Sequence, residues 1–168
     1  MGSWFEDDRI AFPSNFAKRR GWIGSRTEVV QKVTAVEGSC LCGAIRFAIE
    51  GNIPDLYQCH CPLCRKATGS SANAGMVVAM SSFQWKYGQT SIRSFVREAG
   101  YRNDFCAICG SSVPNITRTA DGFWIPVGLF DTPTTARINK HVFVALKAEW
   151  DEIGGSAVQI QRAPESWG

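Results

Sequence analysis

Apolar and polar residues alternate along short stretches of this chain, and turn residues separate the stretches. Ile45, Phe47 and Ile49 alternate with Arg46, Ala48 and Glu50, the period of a half-buried strand. Ala74 to Met80 is a short apolar strand. Ile92 to Arg97 alternates again, and Tyr101 to Phe105 leads into a pair of cysteines. Asp121-Gly122 is a strong turn signal ahead of an apolar strand from Phe123 to Phe130. His141 to Leu146 is the last main strand. Pro62 suits the first turn of a short helix over Leu63 to Thr68, which Gly69 stops. The chain therefore reads as mostly β with one short helix.

Residues 1–34 sustain no such period and read as an N-terminal arm. The arm carries Trp4, Phe5, Phe12, Phe16 and Trp22. Aromatics of that density imply packing on the chain's own domain or on a second subunit, a route to a homo-oligomer. Residues 35–153 then form one domain and 154–168 a C-terminal tail.

Bulk properties narrow the function. At 168 residues the chain suits one domain with a sizeable core, and 45% apolar with 20% charged residues is ordinary for a globular protein. A net charge of +3, with Lys18-Arg19-Arg20 the longest basic cluster, argues against a nucleic-acid partner. No apolar run approaches ~18 residues, so no membrane span is expected. The first residues are acidic and lack an apolar signal region, which favours the cytoplasm.

Seven cysteines change the picture most. A disulfide framework prefers an even count and an oxidising compartment, so metal is the better hypothesis. Cys40 and Cys42 form C-x-C, Cys59, Cys61 and Cys64 form C-x-C-x-x-C, and Cys106 and Cys109 form C-x-x-C. Such turns bring two sulfurs to one point, with backbone amides aimed at them. Thiolates suit zinc, and structural zinc takes four of them in a tetrahedron. Seven ligands divide as four plus three. The two outer pairs, Cys40, Cys42, Cys106 and Cys109, close a tetrahedron, framed by Gly38, Gly43 and Gly110. The triplet Cys59, Cys61 and Cys64 then lacks a fourth ligand. His60 is poorly placed to supply one, because both its neighbours point at the metal. Three protein ligands and an open position are the usual form of a catalytic zinc. The alternatives are an iron–sulfur cluster on four of the cysteines, a thioredoxin-like redox pair, and a structural second zinc with a fourth ligand such as His141.

Three thiolates and one dication sum to about −1, a poor centre for ionising water but a suitable one for a soft thiol ligand. The triplet therefore points to thiol chemistry. Arg65 and Lys66, directly after the last ligand, are candidates for binding carboxylates of a small acidic thiol. Ser70 and Ser71 are candidates for the wall of the site.

These motifs resemble the glutathione-dependent formaldehyde-activating enzymes, a family that includes centromere protein V. The matching segments are GSCLCGAIRF at 38–47, CHCPLCRKATGS at 59–70, FCAICGSSVP at 105–114, DGFWIPVGLFDTP at 121–133 and HVFVALKAEW at 141–150. The resemblance implies a β-tent fold, two folded antiparallel sheets around a structural zinc at Cys40, Cys42, Cys106 and Cys109. It implies a second, loosely held zinc at Cys59, Cys61 and Cys64, the catalytic site. It also implies a carbon–sulfur lyase that condenses glutathione with formaldehyde to S-hydroxymethylglutathione. One departure stands out. Family members often carry an aromatic residue shortly after the central Gly-Ser, whereas Ser71-Ala72-Asn73-Ala74-Gly75 is small throughout. The competing expectation is a non-catalytic zinc protein that binds a protein partner. The chain lacks the long basic tails that would favour it.

Overall fold

A computed structural model describes residues 35–165. The expectations placed on the arm at 1–34 lie outside the described residues.

The first hairpin pairs β1 (Ala35–Ser39) with β2 (Arg46–Glu50), and β5 (Phe83–Tyr87) completes a three-stranded antiparallel sheet in the order β1-β2-β5. A second sheet has six strands. They are β3 (Leu56–Cys59), β4 (Asn73–Ala79), β9 (Asn115–Ile116), β10 (Gly122–Pro126), β11 (Ile138–Val142) and β12 (Val158–Ile160), in the order β12-β11-β3-β4-β10-β9. A third sheet holds β6 (Ile92–Val96), β7 (Arg102–Cys106) and β8 (Ser112–Val113) in that order. One helix, α1 (Pro62–Thr68), follows β3. Among the described residues the fold is mostly β with a single short α-helix, as expected, and no sheet closes into a barrel.

Two details differ from the two-sheet antiparallel expectation. The sheets number three among the described residues, and β11 runs parallel to both β3 and β12. Parallel neighbours need a long connection. Here β3 and β11 are separated by most of the domain, which single-strand patterns do not reveal. β12 lies in the segment read as a tail and forms an edge of the large sheet.

Strand ends also have physical causes. The strand expected over Phe123 to Phe130 stops at Pro126, and a single tight turn follows at Val127–Leu129. The last main strand covers Ile138–Val142 rather than 141–146, because Phe143 adopts a left-handed φ of 57° that no strand continues through.

The main core lies between the first and second sheets. Phe47, Ile49, Leu56, Met76, Val78 and Ile125 are buried together, with Phe83, Trp85 and Phe123 packed against them. Phe83 stacks on Phe123 at 4.1 Å between ring centres, and Trp85 meets Phe83 edge-on at 4.9 Å. Gly38 serves this core rather than the cysteine turn, because a side chain there would strike the Phe47 ring and stand 2.8 Å from the Leu129 carbonyl oxygen. A smaller cluster of Cys40, Ile45, Cys106 and Val113 joins the first hairpin to the third sheet.

Candidate metal centres

The four outer cysteines come from two hairpin turns. Cys40 closes β1, and the turn to β2 is pinned by the Gly43 amide on the Cys40 carbonyl at 2.8 Å and the Cys40 amide on Ile45 at 3.1 Å. Cys106 ends β7, and its turn is pinned in the same way by the amide of Gly110 at 2.9 Å. Gly43 and Gly110 hold φ of 73° and 77°, a region open to glycine at no steric cost. The Ile45 amide points at the Cys40 sulfur at 3.4 Å. The Leu41 amide donates to Ser111 Oγ at 3.0 Å, which ties one turn to the other.

The four sulfurs lie within 4.8 Å of one another. Cys40 and Cys42 are 3.6 Å apart at Sγ, and Cys42 and Cys106 are 3.9 Å apart. A disulfide would need about 2.05 Å. A tetrahedron with zinc–sulfur bonds of about 2.3 Å has edges of about 3.8 Å. The spacing thus fits a tetrahedral metal and not a disulfide, and the four cysteines are free thiols.

The other three sulfurs meet where β3 passes into α1. Cys59 ends the strand, Cys61 is the N-cap of the helix, and Cys64 lies in its first turn. The Cys61 sulfur accepts the Cys64 amide at 3.5 Å, a cap in which sulfur replaces the usual oxygen. Pro62 occupies the first helical turn and Gly69 ends the helix at φ 63°, both as read from the sequence. The three sulfurs also lie within 4.8 Å of one another, and this grouping takes in no fourth His, Cys, Asp or Glu among the described residues. Three thiols so close compete for protons. Cys61 is pulled below its ordinary range, chiefly by hydrogen bonds from the Cys59 and Cys64 thiols, and then by the backbone amides of Cys64 and Leu63. Cys59 and Cys64 are pushed up, Cys59 chiefly by sharing with Cys61 and Cys64 chiefly by sharing with Cys59. All three ionise together only beside a cation, so this donor set also fits a soft metal.

Aromatic residues wall the triplet. Tyr57, Cys59 and Val142 are buried together, with Cys61, Cys64, Trp124 and Phe143 packed against them. The Trp124 indole N–H donates to the Tyr57 hydroxyl, while burial pushes the Tyr57 phenol up. Tyr101 stands near as well. Burial first, and then the charges of Cys64, Cys61 and Cys59, push its phenol up to about 12. Trp124 lies against Gly75, where a methyl group would stand 2.6 Å from Cε2 and 2.7 Å from Cζ2 of the indole. The small segment at 71–75 therefore makes room for an aromatic ring delivered from β10.

The candidate contact residues Arg65, Lys66 and Ser70 follow the triplet along α1 and its cap. Arg65 and Lys66 lie in the last turn of α1, with Lys66 exposed and Arg65 half-buried. Arg65 Nε is buried without a hydrogen-bond partner. Ser70 is exposed beyond the helix cap, its amide on the Arg65 carbonyl at 3.3 Å. Among the described residues, no hydrogen bond or ion pair joins the side chains of Arg65, Lys66 or Ser70 to the cysteines.

Sequence reasoning missed a buried polar chain behind the triplet. His60 Nδ1 is 2.8 Å from Asp151 Oδ2, and His60 Nε2 is 3.0 Å from His141 Nδ1. Burial, and then the neighbouring His60, lower the His141 pKa. His141 thus turns Nδ1 to His60 and is outside the cysteine grouping, as is His60. The one signal was the alternation Cys59-His60-Cys61, which sends His60 to the side opposite the sulfurs. Its partners, 81 and 91 positions away, carried no signal of their own.

The fold and these centres define a mostly β protein with two cysteine clusters, each able to hold a metal ion. The chain belongs to the glutathione-dependent formaldehyde-activating enzyme family, whose sequence model matches residues 35–146. A crystal structure of a Rhodobacter sphaeroides protein resembles it with a TM-score of 0.50 and 17% identity. The match covers 61% of this chain and 98% of that chain, and it bears on the fold alone. A search among curated proteins finds no match. Among the described residues, no helix is long and apolar enough to cross a membrane.

Proposed function

We propose that this protein is a zinc-dependent carbon–sulfur lyase that adds glutathione, or a related thiol, to formaldehyde or another small aldehyde. The observation that carries this reading is a three-sulfur cluster without a fourth protein ligand among the described residues, set beside Tyr57, Trp124 and Tyr101. Membership of a family named for this chemistry supports it.

In the addition, the thiol gives up its proton and its sulfur bonds to the carbonyl carbon. The carbonyl oxygen takes the electron pair and then a proton. Zinc held by Cys59, Cys61 and Cys64 would, when bound, supply a soft cation that favours the thiolate form of the substrate. Tyr101 keeps its proton through the neutral range and offers a hydrogen bond to the carbonyl oxygen as charge develops there. The Trp124–Tyr57 pair screens the site from water. Arg65, Lys66 and Ser70 lie at the adjoining helix end, where they would receive the carboxylates of glutathione. A zinc on Cys40, Cys42, Cys106 and Cys109 would have a structural role. Free thiols in these numbers suit a reducing compartment such as the cytoplasm.

The test follows formaldehyde consumption with glutathione against the spontaneous reaction. The expected result is a faster reaction with the protein and none of the excess with Cys61→Ser. A protein that holds its metals but gives no excess rate with any small thiol refutes the lyase reading. A non-catalytic, partner-binding zinc protein would then stand in its place.

A further inference from the structure

The buried chain Asp151–His60–His141 asks for an explanation that the reaction above does not supply. All three residues are almost fully enclosed, at 8%, 2% and 6% exposure. Burying a carboxylate and two imidazoles is costly unless every polar atom finds a partner. Here the partners are close. Taking Asp151 as the carboxylate, which only accepts, His60 donates through Nδ1. Nε2 of a neutral His60 then accepts, and His141 donates to it through Nδ1.

Each member is also held from outside. The His60 amide donates to the Val142 carbonyl at 3.0 Å, which locks its backbone to β11. Val142 pairs with Cys59 and His141 with Gln58, so β11 runs alongside the approach to the cysteine turn. The Asp151 amide bonds to Ala148 at 3.1 Å, and Lys147 Nζ donates to the Asp151 carbonyl at 2.6 Å. Directly after Val142, Phe143 is held at φ 57°, a costly conformation for an aromatic residue. Contacts that fix such a backbone over-determine the segment.

We propose that Asp151 is a positioning residue for the three-cysteine cluster, acting through His60, which His141 braces on its other nitrogen. A closed four-ligand centre holds its own geometry. Three ligands that span only six residues do not, because the turn between Cys59 and Cys61 can rotate and carry either sulfur away. His60 sits between those two cysteines. Anchoring its ring on the reverse side fixes the turn and leaves both sulfurs on the face they share with Cys64. The inference rests on the reading of Cys59, Cys61 and Cys64 as metal ligands, and it stands apart from which reaction they serve.

The experiment measures zinc affinity at each cluster in the full chain, by competition with a chromophoric chelator. For wild type, Asp151→Ala and Asp151→Asn, the two zincs are followed separately. Loss of a group hydrogen-bonded to a metal ligand typically weakens metal binding by about 10–100-fold, the upper end of the effect expected for Asp151, which acts one residue further out through His60. Asp151→Ala should weaken the second, looser zinc by up to that order and leave the tighter one unchanged. Asp151→Asn keeps an oxygen acceptor for His60 and should recover most of the affinity. Should Asp151→Ala prove insoluble, His141→Gln applies the same test from the other end of the chain. Equal affinity for the second zinc in wild type and variant overturns the proposal. So does a parallel loss of both zincs with the fold, which would reduce Asp151 to a general structural role. A wild-type protein that binds one zinc only would refute the ligand assignment itself, a distinct result from either.

Discussion

The four-cysteine and three-cysteine clusters use the same ligand in opposite ways. Cys40, Cys42, Cys106 and Cys109 come from two hairpin turns far apart in the chain, and their sulfurs close on one another beside the buried side chains of Ile45 and Val113. Cys59, Cys61 and Cys64 come from one strand-to-helix junction, with aromatic rings rather than a fourth sulfur beside them. The first arrangement joins parts of the fold that share no strand ladder, so a metal there would act on stability. The second joins nothing that the backbone does not already join, so a metal there would be free to act on a ligand. Its geometry must then come from outside the cluster, which is what the chain through His60 supplies.

The largest expected effect divides the two clusters by mutation. Structural zinc can contribute on the order of 10–16 kcal/mol to folding. Cys106→Ser removes one of four ligands at a buried position and should give insoluble or unfolded protein. Cys61→Ser should remain folded and lose only the second zinc. Mild chelation of the native protein should likewise strip one zinc and leave the circular dichroism spectrum unchanged. Similar melting temperatures for the two variants, or loss of both metals together with the fold, would break the comparison.

The four-plus-three division was legible in the sequence because each cysteine group rests on local spacing and only the two outer pairs together make four ligands. C-x-C and C-x-x-C turns place sulfurs by themselves, and Pro62 and Gly69 marked both ends of α1. The alternating strands from Arg46, Ile92 and Arg102 were also readable within a residue or so. What escaped notice depends on partners distant in sequence. The parallel pairing of β11 with β3 and β12 has no local signature. Neither has the link from His60 to residues 81 and 91 positions away. The segment at 71–75 showed only that an aromatic was missing. That Trp124 fills the space over Gly75 is a property of strand register.

That register gives a prediction of intermediate size, which sharpens the account of the open cluster. Gly75→Ala places a methyl group against the Trp124 indole, so the ring must leave the strand surface and its hydrogen bond to Tyr57. Forced overpacking of this kind costs about 1–3 kcal/mol. The melting temperature should fall and tryptophan emission should shift to the red, while zinc at the four-cysteine site stays in place. Adding Trp124→Phe should restore part of the stability without restoring the hydrogen bond. Unchanged emission in Gly75→Ala would mean that Trp124 does not lie over Gly75 in solution.

The smallest expected effect concerns Arg65 and Lys66, at the end of α1. The four-cysteine cluster has no comparable pair of cations immediately after a ligand, so this feature belongs to the open cluster alone. Arg65 is half-buried and its Nε has no partner, an arrangement that costs free energy unless a bound group completes it. Lys66 is exposed, and water screens it, so its own contribution to binding should be small. Replacing both with alanine should therefore raise KM for glutathione several-fold and leave kcat close to wild type, because a contact to a distant carboxylate binds ground state and transition state alike. Arg65→Lys alone should recover little, since an ammonium presents no Nε donor at that position. The pattern separates substrate binding from helix stability. A KM unchanged in the double variant would return both residues to a solvated helix end. A fall in kcat with KM unchanged would place Arg65 at the reacting atoms instead.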